Sequence, residues 1–192
     1  MLIMNPDASP EQISSAPRAS RKGLVIVYTG NGKGKTTAAL GLVFRALGWN
    51  WSVFMIQFLK GKWNTGEKLL VTHFPFPFEI RSFGEGFTWE TRDFERERAG
   101  VMEAWNLAEQ VIHNGDHDLV ILDEINYVLS RNYLDWERVR NALQNRPPWM
   151  HVLLTGRDAP EAAIKFADLV TEMCCVKHPF DAGIKGQPGI EY

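Results

Sequence analysis

The chain holds only two cysteines in 192 residues, Cys174 and Cys175, and they are neighbours. Adjacent residues of a strand point to opposite faces, so this pair has no spaced partner with which to build a disulfide framework or a zinc site. The expectation is a reducing, cytoplasmic setting. An excess of either charge is also lacking. Lys and Arg number 21 against 23 Asp and Glu, a formal net charge of -2, which favours neither nucleic acid nor an anionic membrane as a main partner. No run reaches the roughly 18 apolar residues that a bilayer span needs, and residues 1–20 lack the apolar centre of a secretory signal. The five histidines, His73, His113, His117, His151 and His178, show no metal-ligand spacing. No His-Asp or Cys-His arrangement stands out for acid–base or nucleophilic chemistry.

What is present is the composition of a globular domain, 45% hydrophobic and 23% charged. The opening "MLIMNPDASPEQISSAPRAS" is rich in Pro, Ser and Ala. Residues 1–21 are therefore expected to form a flexible arm, and residues 22–192 one domain. Short apolar runs at 24–28, 52–58, 118–123, 151–155 and 169–175, with a weaker one at 78–83, read as buried strands. The longest helical pattern runs from about Thr91 to His113, with Val101, Trp105, Ala108 and Ile112 on one face, a Thr91 cap and an Asn114-Gly115 stop. Asp158 and Glu161 form a second candidate capping box around Pro160. Strands alternating with helices predict an α/β fold, a mostly parallel sheet covered by helices on both faces.

The strand "LVIVY" runs directly into "TGNGKGKTT", residues 29–37, and a breaker-free helical run follows. Counted back from Gly34-Lys35-Thr36, the position of the usual first P-loop glycine is held by Thr29. In such a loop, here Thr29, Gly30, Asn31, Gly32, Lys33, Gly34, Lys35, Thr36 and Thr37, backbone N–H groups and a helix N-terminus face phosphate oxygens. Lys35 and Lys33 add positive charge, and Thr36 offers its hydroxyl oxygen to Mg²⁺, with Mn²⁺ as an alternative. "DLVILDEI" supplies the acidic counterpart, Asp123-Glu124, at a strand's C-terminal end, where ligands of parallel sheets bind. Either carboxylate could touch the metal. The guanine-reading N-K-x-D element is absent, so ATP is favoured over GTP. At this stage an ATPase or kinase that releases ADP stays open.

Residues 74–91, "FPFPFEIRSFGEGFTWET", set Phe83, Phe87 and Trp89 among glycines. Such a segment either presents flat apolar surface to a large ligand or plugs one end of the core. "YTGNGKGKTTAALG", "QFLKGKWNTGE", "GFTWET", "LVILDEINYVL", "LLTGRDAP" and "VKHPFDAGIKGQPGIEY", in this order, resemble the P-loop type ATP:corrinoid adenosyltransferases over about residues 22–192.

That resemblance implies a RecA-like fold, a homodimer, and transfer of the 5′-deoxyadenosyl group of ATP to the Co(I) of a reduced corrinoid. The corrinoid would be cob(I)alamin or cobyrinic acid diamide, in adenosylcobalamin biosynthesis or salvage, and triphosphate leaves whole. It implies further that the loop wraps the terminal phosphate and turns C5′ toward the corrinoid. Lys35, Thr36 and Glu124 would serve catalysis, Thr36, Asp123 and Glu124 the metal, and Phe87 and Trp89 the lower face of the corrin ring. The family's need for Co(I) implies a flavoprotein electron donor. Arg45, Lys60 and Arg157 are basic candidates for nucleotide contacts. An ATP-sensing corrinoid carrier is the non-enzymatic alternative, which multiple turnovers would exclude.

Overall fold

The computed structural model describes residues 17–61, 64–73, 75–84 and 94–192. Six strands, β1 (Val25–Thr29), β2 (Val53–Gln57), β3 (Phe78–Ser82), β4 (Leu119–Asp123), β5 (His151–Thr155) and β6 (Leu169–Glu172), form one sheet. All five strand pairings are parallel and the order is β3-β2-β4-β5-β1-β6. Strand β5 thus lies between the loop-bearing β1 and the acidic β4, the RecA-like arrangement. Among the described residues six α-helices accompany the sheet: α1 (Lys35–Gly48), α2 (Gly66–His73), α3 (Phe94–Asn114), α4 (Ile125–Ser130), α5 (Trp136–Gln144) and α6 (Glu161–Phe166).

Period-two alternation sorts the strands' side chains into two cores. Val25, Val27, Phe54, Ile56, Val120, Leu122, Val152 and Leu154 face α3, α4 and α5. Ile26, Val53, Met55, Leu119, Ile121 and Leu153 face α1. Burial on both faces explains why the central strands read as continuous apolar runs. Val101, Trp105, Ala108 and Ile112 of α3 are buried as their spacing predicts. Gly115, at φ 75°, ends that helix in the left-handed conformation that glycine adopts without cost. The expected Thr91 cap lies outside the described residues.

Three local expectations are corrected. The strand expected through Cys175 ends at Glu172. Its one neighbour, β1, stops at Thr29 and turns into the glycine loop, so no ladder remains, and Met173 follows the loop instead, accepting from Gly32 N at 2.6 Å. Both cysteines are exposed and free. The Asp158 capping box does not form: Asp158 sits at φ 56°, and Pro160 occupies the N-cap of α6 without a side-chain hydrogen bond. Residues 17–21 of the expected arm are tied down. Arg18 and Arg21 both pair with Asp118, just ahead of β4, and Arg21 lies 4.3 Å over the Trp51 ring.

Candidate nucleotide site

The C-terminal ends of β1, β2, β4 and β5 meet at a cleft of about 890 Å³, within the usual range for small-molecule sites. Gly32 to Thr37 line one side, and Leu59, Lys60, Thr65 and Glu67 another. Glu124, Arg157 and the chain's last residues, Glu191 and Tyr192 among them, complete it. The first turn of α1 begins at Lys35, behind Gly34 at φ 107°. This puts the free N–H groups and the positive dipole end of the helix at the cleft, as anion binding requires. Thr29, Gly30 and Asn31 are not among the lining residues. The Thr29 hydroxyl instead accepts from Ala159 N at 3.1 Å, tying the end of β1 to the turn after β5. Gly30, at φ 94°, needs its missing side chain for packing: a Cβ there would come within 2.5 Å of Met173 O.

Lys35 is buried and donates to the carbonyls of Gly30 and Gly32, both at 2.7 Å. Burial lowers its pKa, opposed by the carboxylate of Glu124. Lys33 is ion-paired with Glu191; burial, then the nearby Arg157, lowers its pKa. Arg157 reaches the cleft wall. Arg45 does not, since it lies exposed in the last turn of α1, away from the loop.

The two acidic residues differ sharply. Asp123 is fully buried. Its Oδ1 accepts from Thr36 Oγ1 at 3.0 Å and Thr155 Oγ1 at 2.7 Å. Its Oδ2 accepts from Gln57 Nε2 at 3.4 Å and lies 2.8 Å from Lys60 Nζ. The carboxylate of Glu124 has no hydrogen bond among the described residues, while its backbone N–H donates to Thr155 Oγ1 at 3.1 Å. Burial raises the Glu124 pKa, and the charge of Asp123 raises it further. Its φ of 67° is one that non-glycine residues seldom adopt, and strain of this kind gathers at functional sites. A half-buried carboxylate with no hydrogen-bond donor among the described residues, sharing the cleft with the Thr36 hydroxyl and next in sequence to a second carboxylate, fits a hard divalent cation that takes oxygen ligands.

The deprotonated form of Glu124 is the one able to hold a cation, and with a raised pKa that form is lost sooner as pH falls. With Glu124 as a ligand, affinity for a Mn²⁺-nucleotide would weaken on acidification starting above the ordinary glutamate value of 4.5. Glu124→Gln should flatten this dependence, as read by Mn²⁺ titrations across pH; an unchanged profile in the variant would assign the pH effect elsewhere.

Thr155 and Gln57 join the expected set through contacts with Asp123 that no local pattern encodes, Lys60 is found paired with that same carboxylate, and Gly186 and Gly189 to Tyr192 reach the cleft from the chain's far end. Phe83 packs against the core, so it is not a free apolar surface. Phe87 and Trp89 lie outside the described residues.

The family model for the ATP:corrinoid adenosyltransferases BtuR/CobO/CobP matches residues 21–192. A corrinoid adenosyltransferase of Pseudomonas aeruginosa is 45% identical over 182 residues, covering 95% of this chain and 89% of that protein. One from Sinorhizobium sp is 44% identical over 194 residues, covering 100% of this chain and 90% of its own length. Among solved structures, the flagellar accessory protein FlaH of Methanocaldococcus jannaschii is similar with a TM-score of 0.44 at 12% identity, over 79% of this chain and 71% of that one.

Proposed function

The chain belongs to the ATP:corrinoid adenosyltransferase family, and from that premise we propose that it transfers the 5′-deoxyadenosyl group of ATP to the cobalt of a reduced corrinoid. The observation that carries this reading is the cleft itself. It joins a phosphate-binding loop to the acidic pair Asp123-Glu124, yet among the described residues no histidine lines it. Displacement at C5′ by Co(I) needs no proton removed. The cobalt lone pair forms the Co–C bond, the C5′–O bond breaks, and its electron pair leaves with triphosphate. The protein's task is alignment and stabilisation of the growing phosphate charge.

In that task the N–H groups at the start of α1, with Lys33 and Lys35, hold the terminal phosphate, and C5′ points toward the corrinoid. Mg²⁺, or Mn²⁺ in its place, would neutralise phosphate charge. Thr36 and Glu124 would hold that cation directly. Asp123, whose oxygens already accept from Thr36, Thr155 and Gln57, orients the Thr36 hydroxyl. Phe87 and Trp89, by the family's motif, would meet the lower face of the corrin ring in place of its lower axial base. This eases reduction to Co(I), because an axial ligand raises the orbital that accepts the electron. The acceptor is cob(I)alamin or cobyrinic acid diamide, the electron donor a flavoprotein, and the working unit a cytoplasmic homodimer. No helix among the described residues is long and apolar enough to cross a membrane.

Anaerobic incubation with ATP, Mg²⁺ and chemically reduced cob(I)alamin tests the reading: the adenosylcobalamin spectrum should develop over many turnovers. A spectrum that stays at cob(I)alamin would refute it, and a single turnover would point to a carrier. When the reaction starts from cob(II)alamin with a reductant, Trp89→Ala should slow adenosylation about tenfold, while ATP affinity, read by calorimetry, changes little. Equal loss of both would remove Trp89 from the corrinoid site.

A further inference from the structure

Beside the Thr36 hydroxyl, on the side of Asp123, lies an ammonium group of the protein itself. Lys60, three residues beyond β2, is largely buried, its side chain 20% exposed. Its Nζ stands 2.8 Å from Asp123 Oδ2 and 3.2 Å from Thr36 Oγ1. It is thus shared by the carboxylate and hydroxyl that face one another at 3.0 Å across the floor of the cleft. A divalent cation bound at Thr36 and Glu124 approaches its ligand oxygens to about 2.1 Å. An ammonium within hydrogen-bond reach of the same hydroxyl would be only a few ångströms away, and like charges at that range in a buried site repel strongly. The Thr36 hydroxyl cannot serve a cation well while Lys60 stays beside it.

Lys60 also lines the cleft, together with Lys33, Lys35 and Arg157. A four-carbon stem lets its ammonium reorient over several ångströms, and nucleotide phosphates offer it another anion. Asp123 is the reason it rests where it does. That carboxylate has no exposed surface, and a buried charge needs a charged partner.

We infer that Lys60 is a place-holding cation, neutralising Asp123 beside Thr36 until nucleotide phosphates draw it away, so that metal loading is conditional on nucleotide. The inference rests on the metal-site reading given above. It assigns Lys60 a positioning role with an exchange of partners: Asp123 and Thr36 in the free protein, phosphate oxygens in the loaded one. Free Mn²⁺ or Mg²⁺ is thereby kept from settling at Thr36 in a geometry that a nucleotide could not use.

The test is an electron paramagnetic resonance titration of the full chain with Mn²⁺ alone, without nucleotide. Lys60→Met removes the competing charge and should tighten Mn²⁺ binding at least tenfold over the wild type; adding Thr36→Val should abolish that gain. Equal or weaker Mn²⁺ binding by Lys60→Met would overturn the inference, as would a gain that survives Thr36→Val. Should Lys60→Met not fold, Lys60→Gln keeps a hydrogen-bond donor without the charge and must show a gain in the same direction. No corrinoid enters this experiment, so failure of the adenosyl-transfer reading would appear in the cob(I)alamin assay and leave the Mn²⁺ titration unaffected.

Discussion

Lys35→Ala is expected to lower the rate of adenosyl transfer by roughly 10³-fold at saturating ATP, the scale of losing one preorganised group that stabilises developing charge. The lysine is the first residue of α1 and its ammonium is already inside the loop, on the carbonyls of Gly30 and Gly32. It has only to turn from those carbonyls to phosphate oxygens. In the proposed reaction its charge would act most strongly when the C5′–O bond is breaking and negative charge collects on triphosphate. The loss should therefore fall mainly on kcat, and single-turnover spectroscopy with cob(I)alamin would measure it. A variant with raised KM for ATP and unchanged kcat would show instead that Lys35 binds ground and transition states alike.

Asp118→Ala should be strongly destabilising, costing about 3–5 kcal/mol, because removing one member of a buried ion pair leaves the other charge uncompensated. Asp118 accepts from Arg18 Nε at 3.0 Å and from Ser52 N and Oγ at 3.0 and 3.1 Å, and it also pairs with Arg21. Arg21 keeps only 10% of its side chain exposed, and its Nε and Nη1 are buried without a partner among the described residues. Burial pushes the Asp118 pKa up, but hydrogen bonds from Arg18, the Ser52 backbone and Arg21 outweigh it and hold the carboxyl far below its ordinary value of 3.8.

The folded pKa is thus depressed. The stabilisation is fully present above that ordinary value and is lost only as pH falls through the lower folded one. Urea denaturation at pH 7 should show the full deficit of the variant, and the gap to wild type should close only in strong acid. A deficit under about 1 kcal/mol at pH 7 would mean that Arg21 finds water or another acceptor.

The nucleotide end of the fold was legible because its signals are local. Strand β1, the glycine loop and α1 are contiguous, and Asp123-Glu124 follow directly on the apolar run of β4. The rest of the site depends on which strands become neighbours. Thr155 meets Asp123 only because β5 lies beside β4, and Gln57 because β2 flanks it on the other side. Lys60 was legible as a basic candidate, but not that Asp123 is its partner. Thr29 read as part of the phosphate cradle, whereas its hydroxyl serves the turn before α6. Asp158 had the spacing of a cap, yet it adopts φ 56°, outside the extended conformation that an N-cap needs.

The glycines of the loop carry a related lesson. From sequence they let the backbone approach phosphate. In the fold Gly30 and Gly32 also abut the backbone of Met173 and Cys174, so the loop is braced from behind by the segment after β6.

In the proposed reaction this loop holds a triphosphate that leaves intact. Phosphorus NMR of the anaerobic reaction, taken as adenosylcobalamin accumulates, tests it most directly. One equivalent of inorganic triphosphate per adenosylcobalamin, without ADP, is the expected result. ADP and orthophosphate accumulating in place of triphosphate would contradict it and assign the loop to ordinary γ-phosphate chemistry.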